Sequence, residues 1–313
     1  MREPAAAILM EARGPAKHLI TDGIRCRRIL RQERSDSQCR NYRQLSCTAR
    51  EALPVGTGTT TLQNPMQIEY SKVSAIGDRQ DNQDRAAIVV AENAALMLVF
   101  DGMGGHSDGA LAAETGIRVV QDLFTKMPLP IFDPQGFLYM ALARAHDEIV
   151  ALGADIGVDF RPRATCAVCL VQESGSYWCH IGDSRIYLMR NGQLVQRSRD
   201  HSHVEVLIQE GAITEAEALD HPMRNFVECC LGGDAPVPDM TLTRKLPLQP
   251  GDVLLACSDG LWSGLSDAEI ARLATLPDSE LGDNLKSLSV KALTANSPYS
   301  DNTTGTALRF IAP

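Results

Sequence analysis

The sequence of 313 residues contains no long apolar segment. No run approaches the roughly 18 consecutive apolar residues that a membrane span requires. The apolar run at residues 5–10 is followed at once by Glu11 and Arg13, and it is too short for the apolar core of a secretory signal. Gly and Pro contribute only 24 and 16 residues and no sequence period dominates, which excludes collagen-like, coiled-coil and low-complexity chains. We therefore expect a globular protein that does not enter a membrane.

A disulfide framework is also missing. The nine cysteines are an odd number, they are scattered, and Cys229 and Cys230 are adjacent. Cys166 and Cys169 have the spacing of a zinc-binding pair, but no second pair of this kind accompanies them. They lie in residues 164–171, a run that predicts a strand. We interpret the cysteines as reduced, mostly buried thiols of a cytoplasmic protein.

Positive charge is scarce over most of the chain. Residues 1–65 carry 11 Lys and Arg against 6 Asp and Glu, whereas residues 66–313 carry 19 against 33. A nucleic-acid-binding protein typically presents a basic face, so this acidic composition argues against a nucleic-acid partner. Surplus carboxylate is common on ordinary protein surfaces, and it also suits a protein that gathers cations.

Residues 1–65 differ in composition from the rest of the sequence. Five arginines crowd residues 25–34, apolar periodicity is weak apart from a helical pattern over 17–32, and a Gly- and Thr-rich linker follows Pro54. We predict that residues 1–65 are a disordered basic extension and that residues 66–313 form the functional domain. Three alternatives stay open for the extension: a functional basic arm, an organelle transit peptide, and an upstream start codon that is not used.

From Met66 onward, apolar spacing predicts runs of strands and pairs of helices. Helical spacing covers residues 107–125, 134–152, 267–274 and 278–293, and short helices are expected over 202–220. Helices in pairs with runs of strands between them indicate an α+β protein in which helices cover largely antiparallel sheets. The predicted strands cover residues 67–75, 86–91, 95–101, 164–171, 176–181, 185–189, 240–245, 252–257 and 305–311.

Five aspartates lie at the ends of predicted strands. Asp101, Asp183 and Asp259 follow an apolar strand and have glycine beside them, whereas Asp84 and Asp301 come shortly before a strand. Glycine allows backbone carbonyl oxygens to approach a ligand closely. One such aspartate is typical of a turn or a helix cap, but five that share this placement indicate a common site. Because carboxylates held together repel each other, the pattern favours a cation-binding centre.

The chemistry of oxygen-only ligands indicates a class of reaction. Carboxylates and carbonyl oxygens select hard ions such as Mg²⁺ or Mn²⁺ rather than Zn²⁺. Two such ions about 4 Å apart activate a water for in-line attack on a phosphate ester. The sequence contains no GxxxxGK[ST] and no HExxH motif, and we expect neither a serine nor a cysteine nucleophile. The residues therefore favour metal-dependent hydrolysis of a phosphate monoester by direct attack of water.

Eight short motifs follow one another between about residue 70 and residue 311. They are GDRQDNQD at 77–84, VFDGMGGH at 99–106, AT at 164–165, IGDSR at 181–185, DHS at 200–202, HPMRN at 221–225 before LGG at 231–233, CSDGLW at 257–262 and DNT at 301–303. Each motif is weak alone, but the set in this order resembles the metal-dependent Ser/Thr protein phosphatases of the type 2C class. The resemblance implies a four-layer αββα sandwich, with two mostly antiparallel sheets flanked by pairs of helices, and a catalytic domain over residues 66–313.

The resemblance also implies a pair of Mn²⁺ or Mg²⁺ ions and the residues that bind them. Asp101 matches the residue that bridges both ions, and the carbonyl oxygen of Gly102 matches a ligand of one of them. Asp259 and Asp301 match the ligands that complete the other site. Asp84 matches a residue in or near the ligand shell, partly through water.

Two further positions have implied roles. Asp183 matches the residue that, with the Asp259 position, holds a third and weaker metal ion in bacterial members. Arg79 matches the residue that clamps the substrate phosphate, since a guanidinium fork grips two oxygens at once. Arg79 and Asp101 are therefore the predicted catalytic residues. Residues 203–225 are expected to form a flap beside the site.

Two positions depart from the family pattern. Gln83 stands where many members have glutamate, so a carboxylate ligand is replaced by an amide carbonyl there. Met103 stands where eukaryotic members have a histidine that is a proposed general acid, and methionine cannot donate a proton. The proton for the leaving group must then come from another source.

The resemblance implies a protein-serine/threonine phosphatase of bacterial type that acts on phosphoproteins and opposes a Ser/Thr kinase in cytoplasmic signalling. We expect a monomer with no nucleic-acid and no membrane partner. Two alternatives stay open: an inactive homologue that binds phosphoproteins, and a regulator whose basic extension over residues 1–65 binds nucleic acid or a membrane. Because Asp101, Asp259 and Asp301 are all present, the residues favour the enzyme.

Overall fold

Two antiparallel sheets form the centre of the fold in the computed structural model, which describes residues 66–103, 108–157, 160–173, 175–275 and 280–312. The basic extension that we predict over residues 1–65 lies outside the described residues. The strands are β1 (Gln67–Ala75), β2 (Asp84–Val90), β3 (Ala94–Met103), β4 (Arg163–Gln172), β5 (Gly175–Ile181), β6 (Arg185–Arg190), β7 (Gln193–Arg197), β8 (Leu231–Gly232), β9 (Thr241–Leu242), β10 (Leu246–Pro247), β11 (Val253–Cys257) and β12 (Thr303–Ala312).

Every strand pairs antiparallel with its neighbours. One sheet has the order β1-β12-β11-β6-β7, so its first and last long strands are adjacent. The other sheet has the order β10-β5-β4-β3-β2, and the two-residue strands β8 and β9 pair with β4 and β5. The termini of the described chain therefore meet in one sheet, where Gln67 pairs with Ala312, whereas Asp301 lies beside the other end of this strand pair, where Ala75 faces Thr303.

Helices cover the outer face of each sheet: α1 (Asp108–Lys126) and α2 (Pro134–Leu152) cover one, and α5 (Asp259–Trp262), α6 (Asp267–Ala271), which continues into a 3-10 turn at Arg272–Ala274, and α7 (Leu281–Asn296) cover the other. Two short helices, α3 (His203–Gln209) and α4 (Glu215–Ala218), lie in the segment between β7 and β8. The start of α2 shows how the sequence sets a helix end. Asp133 accepts a hydrogen bond from the backbone N–H of Gly136, and Pro134 occupies the first turn, where no N–H is needed. Within the described part of the chain, no helix combines the length and apolarity that a membrane crossing needs.

The continuous apolar run in β3 serves two cores at once. Leu96 and Phe100 pack with α1 and α2 on the outer face of their sheet, whereas Met97 and Val99 pack between the two sheets. Successive side chains of a strand point to opposite faces, so a strand buried on both faces reads as uninterrupted apolar sequence. A third cluster joins α5, α6 and α7 to the outer face of the other sheet. These layers confirm the predicted α+β class and the αββα sandwich.

Several local predictions are wrong in detail. The single strand predicted over residues 240–245 is two short strands, β9 and β10, each of two residues. Strand β7 was not predicted, because its sequence QLVQR is mostly polar and it lies at a sheet edge, although Asn191-Gly192 before it is a hairpin signal. Both turn residues have positive φ angles, 49° and 74°.

Candidate active site

Strand register places two of the predicted aspartates side by side. Asp84 at the start of β2 lies opposite Asp101 in β3, and Asp101 lies opposite Thr165 in β4. The hydroxyl of Thr165 is hydrogen-bonded to that of Ser184 over 2.7 Å, which joins this edge to the loop between β5 and β6. The seven-stranded sheet therefore contributes Asp84 and Asp101 at one of its ends.

The five-stranded sheet contributes Asp259 and Asp301 from neighbouring strands. Asp259 begins α5 directly after β11, and Asp301 lies just before β12. Ser258, between β11 and Asp259, donates its hydroxyl to the Oδ2 atom of Asp84 over 2.7 Å. Its backbone N–H donates to the carbonyl of Thr304 in β12 over 3.0 Å. Ser258 thus links the two sheets at the acidic residues.

Burial, and then the charges of neighbouring carboxyls, raises the pKa values of three of these aspartates. Burial raises the pKa of Asp84 to about 7, and the negative charges of Asp259 and Asp301 act in the same direction. Burial likewise raises the pKa of Asp101 well above its ordinary value, with further increases from the charges of the other aspartates of the site. The pKa of Asp259 is raised to about 6, first by burial and then by Asp301. The carboxyls of Asp84, Asp101 and Asp259 therefore share one poorly solvated region, which disfavours their ionised forms.

Asp183 belongs to the same electrostatic group. It follows Gly182, whose φ of +89° suits glycine and whose Cα approaches the side chain of Thr165 too closely for a Cβ. Burial raises the pKa of Asp183 well above its ordinary value, followed by the charges of Asp259 and Asp200. The residue that the resemblance associates with a third ion therefore lies within electrostatic reach of Asp259.

Arg79 lies at the rim of the acidic group. Its guanidinium donates to the Oδ2 atom of Asp301 over 2.6 Å, and its side chain is 61% exposed. The turn that carries it is anchored by Asp78, whose Oδ2 accepts hydrogen bonds from the N–H and hydroxyl of Ser300. Arg79 can therefore reach solvent and the carboxylates from one position.

Asn302 ties that turn to β12. Its Oδ1 accepts a hydrogen bond from the backbone N–H of Gln83 over 2.8 Å, and its Nδ2 donates to the carbonyls of Ile76 and Asp81 over 2.9 and 3.0 Å. One side chain thus closes the loop that holds Arg79 and Asp84. The motif at 301–303 contains Asn302, but the sequence does not indicate this role, because its three partners are 219 or more residues away in the chain.

Gly102 lies where three backbone segments converge. A Cβ at this position would lie 2.0 Å from the carbonyl oxygen of Gly109 in α1, so no side chain fits. Its N–H donates to the carbonyl of Gln83 over 3.3 Å. A Cβ on Gly109 would in turn meet the Gln83 side-chain oxygen at 2.3 Å. Gln83 therefore packs against the first turn of α1.

The aspartates of the site are suitable ligands for a hard cation, although two of them are bonded to other side chains of the protein. Among the described residues, no three His, Cys, Asp or Glu side chains are already arranged as a metal-ligand set. Arg79 engages Asp301, and Ser258 engages one oxygen of Asp84. The other oxygen, Asp84 Oδ1, is buried and has no hydrogen-bond partner within the described residues. Mg²⁺ and Mn²⁺ prefer carboxylate oxygens as ligands, and this oxygen is free to serve as one.

Two spacings typical of other hydrolases also occur in the chain. Cys179 and Arg185 have the CxxxxxR spacing of cysteine-dependent phosphatases, but Cys179 is buried in β5 and burial raises its pKa to about 12. Arg185 is engaged in a two-bond ion pair with Asp200. A thiolate nucleophile is therefore not available there. Residues 105–109 have the GxSxG spacing, and their Ser107 lies outside the described residues.

A large cleft opens beside the acidic group. Its volume is about 800 Å³, and its lining includes Arg79, Asp183, Asp259 and Asp301 together with residues of α3 and α4. The predicted flap over residues 203–225 is thus the two-helix segment at one side of this cleft. A bridge between Ser202 and Val227 closes the base of the segment.

An αββα sandwich with acidic strand ends and an arginine at the rim of an open cleft is the architecture of a phosphate-ester hydrolase. The family model described as "Protein phosphatase 2C" matches residues 73–284, which is more than half of the chain. The chain therefore belongs to the protein phosphatase 2C family, and it is a bacterial-type Ser/Thr protein phosphatase.

Named relatives agree with this assignment. The serine/threonine phosphatase stp of Listeria monocytogenes is 32% identical over 199 residues, which cover 62% of this chain and 78% of that protein. The solved structure of the S. agalactiae serine/threonine phosphatase has a TM-score of 0.70 and 28% identity, and covers 78% of this chain and 100% of that chain. The catalytic domain of the phosphatase PstP, solved with two manganese ions, has a TM-score of 0.65 and 29% identity, with 78% and 98% covered.

Proposed function

We propose that this Ser/Thr phosphatase depends on Mn²⁺ or Mg²⁺ and that two core ions bind at Asp84, Asp101, Asp259 and Asp301, with the Gly102 carbonyl as a further ligand. The observation that carries the proposal is that Asp84 lies opposite Asp101 and that its Oδ1 is buried without a hydrogen-bond partner among the described residues. Burial, and then repulsion between the carboxyls, raises the pKa values of Asp84, Asp101 and Asp259. Cations would relieve that repulsion. The manganese ions in the PstP structure support the choice of metal.

When bound, such ions supply positive charge that acidifies an attacking water and stabilises the phosphoryl oxygens. The water oxygen forms a bond to phosphorus while the bond from phosphorus to the serine or threonine oxygen breaks, and the leaving oxygen takes up a proton. Met103 has no proton to donate, so we propose solvent in the open cleft as the proton source. Asp183 would hold a third, weaker ion together with Asp259.

Arg79 is the substrate-phosphate ligand in this proposal. Its guanidinium is 61% exposed and lies 2.6 Å from Asp301, so a phosphoryl group that enters the cleft meets it beside the carboxylates. A planar guanidinium donates to two phosphate oxygens in parallel. In exchanging Asp301 for the phosphate dianion, Arg79 would also leave Asp301 available to a cation.

In the cell, we propose that the enzyme removes phosphate from phosphoproteins and opposes a Ser/Thr kinase in cytoplasmic signalling, acting as a monomer. The described cysteines, none of which forms a disulfide, support a reducing compartment. The proposed catalytic domain covers residues 66–313, with residues 1–65 as a separate extension.

The test is release of phosphate from a phosphothreonine peptide with Mn²⁺, with Mg²⁺, and with EDTA. We expect turnover with either ion, loss of turnover in EDTA and recovery when Mn²⁺ is restored in excess. Calorimetric titration of the EDTA-treated enzyme with Mn²⁺ should report at least two sites. Undiminished turnover in EDTA, together with no Mn²⁺ binding, would contradict the proposal.

A further inference from the structure

The cleft is larger than the phosphate it is proposed to receive. Its volume of about 800 Å³ lies in the range of pockets that bury whole drug-sized ligands. Arg79, Asp259 and Asp301 lie in its lining together with residues of the flap, α6 and α7. A substrate whose phosphoryl group sits at the carboxylates therefore has further space around it in the same cavity.

Two large apolar side chains line this cleft from different elements and remain exposed. Tyr299, in the loop between α7 and β12, is 88% exposed, and Leu219, at the end of α4 in the flap, is 70% exposed. Tyr299 lies two residues before Asp301. Exposed apolar surface beside a functional site marks a place where a partner's apolar group is removed from water.

Several charges in the same cleft are compensated by the protein itself. Arg185 pairs with Asp200 over 2.7 Å, and Arg197 lies 3.4 Å from Asp267. Arg224 donates to the backbone carbonyl of Leu219 over 3.0 Å, which holds Leu219 in position. Glu215 and Arg224 also line the cleft, and among the described residues neither forms an ion pair, so the cleft offers exposed charge as well as the apolar surface of Tyr299 and Leu219.

We propose that the cleft binds the polypeptide that flanks the phosphorylated residue, and that Tyr299 and Leu219, which both line it, favour substrates with a large apolar side chain close to that residue. The inference rests on the proposed placement of the phosphate at Arg79 and the carboxylates. The occupant is a substrate segment because the apolar surface and the proposed phosphate site share one cavity. A peptide bound by its phosphate extends into the same space.

The test uses phosphothreonine peptides of one background sequence in which a single position, from three before to three after the phosphothreonine, is Leu, Ser or Asp. We expect Leu at one or two positions to raise kcat/KM about tenfold over Ser, since filling an apolar site by a side chain of this size discriminates by at least that factor. The gain should appear mainly in KM. Tyr299→Ala should reduce the Leu-to-Ser ratio to near one, and Tyr299→Phe should preserve it.

Phe132→Ala is the matched control, because Phe132 is a fully exposed aromatic residue outside the cleft lining. It should leave the Leu-to-Ser ratio unchanged. Equal rates for Leu and Ser peptides at every position would overturn the inference, as would a preference for Asp or an equal loss on all peptides in Tyr299→Ala. If turnover persists unchanged in EDTA, the proposed metal dependence fails, while the Leu-to-Ser ratio still decides the role of Tyr299.

Discussion

Trp262 donates its indole N–H to the backbone carbonyl of Asp183 over 3.0 Å. The guanidinium carbon of Arg185 lies 3.3 Å from the centroid of the Trp262 ring, and Arg185 is itself held by a two-bond ion pair with Asp200. This stack of side chains supports the loop that carries Asp183 and places α5, which begins at Asp259, against it. The positions of two acidic residues are therefore coupled through one tryptophan.

Trp262→Phe should keep the stacking on Arg185 but lose the hydrogen bond to Asp183. We expect a loss of about 0.5–1.5 kcal/mol in the free energy of unfolding and a higher Mn²⁺ concentration for half-maximal activity. Trp178→Phe is the matched control, because Trp178 also donates its indole N–H, to Ser176, in β5. Thermal unfolding of both variants measures the loss of stability, and Mn²⁺ titration of their activity measures the change in the Mn²⁺ requirement. Identical Mn²⁺ curves for the two variants would contradict a role of Trp262 in positioning Asp183.

Asp101→Asn should remove most of the activity and leave the fold intact. In the proposed site Asp101 serves both core ions, so the loss of its charge weakens each of them. We expect kcat to fall well over tenfold at saturating Mn²⁺, where each factor of ten corresponds to about 1.4 kcal/mol. Asp147→Asn, an exposed change on α2, should behave as wild type. Retention of more than about a tenth of the wild-type rate would exclude the bridging role.

Arg79→Ala should weaken substrate binding without weakening metal binding. A charge-assisted pair with a phosphate contributes roughly 1.5–3 kcal/mol, which corresponds to about a 10- to 150-fold rise in KM for a phosphopeptide. Because Arg79 donates to Asp301, its removal frees that carboxylate, so Mn²⁺ affinity should not fall. Steady-state kinetics and calorimetric Mn²⁺ titration measure the two quantities. An unchanged KM and kcat, or a collapse of Mn²⁺ binding, would remove Arg79 from the phosphate-binding role.

The metal-free enzyme should lose stability as the pH rises through the range set by Asp84. The pKa of this carboxyl is raised to about 7 in the folded state, so the folded protein holds the proton more tightly than the unfolded chain. The stabilisation that protonated Asp84 gives to the folded state is fully present below the ordinary aspartate pKa, near 4. It is lost as the pH rises through about 7. In EDTA, the Tm of the wild type minus the Tm of Asp84→Asn should therefore become smaller between pH 4.5 and pH 7.5, because only the wild type loses this contribution.

Asp147→Asn is the control for that measurement, since its difference in Tm from wild type should stay constant with pH. Excess Mn²⁺ should reverse the trend in the wild-type protein, because cations bind the deprotonated carboxylates. A difference between wild type and Asp84→Asn that does not vary with pH would show that Asp84 titrates as an ordinary carboxyl.

Removal of residues 1–65 should leave activity and Tm nearly unchanged. The compositional break at Met66 and the Gly- and Thr-rich linker before it motivate this expectation. Phosphopeptide kinetics and thermal unfolding of the truncated and full-length chains provide the comparison. A large fall in Tm on truncation would mean that the segment packs on the catalytic domain.

Much of the architecture could be predicted because local pattern and tertiary position agree. The apolar run of β3 predicts a strand whether one or both of its faces are buried, and both are. Strand β7 was not predicted because an edge strand needs few apolar residues and therefore lacks a clear sequence pattern. Its extended conformation depends on its pairing with β6. The αββα layering itself was inferred from motif resemblance rather than from the spacing of apolar residues.

The sequence by itself determined which acidic residues are candidates, since each stands at a strand end beside a motif that can be read locally. Only the tertiary structure decided their partners: Ser258 contacts Asp84 across 174 residues of chain, and Arg79 contacts Asp301 across 222. The raised pKa values of Asp84, Asp101 and Asp259 also have no local signal. They arise because folding brings distant carboxyls into one poorly solvated region, where the charge of each depends on the others.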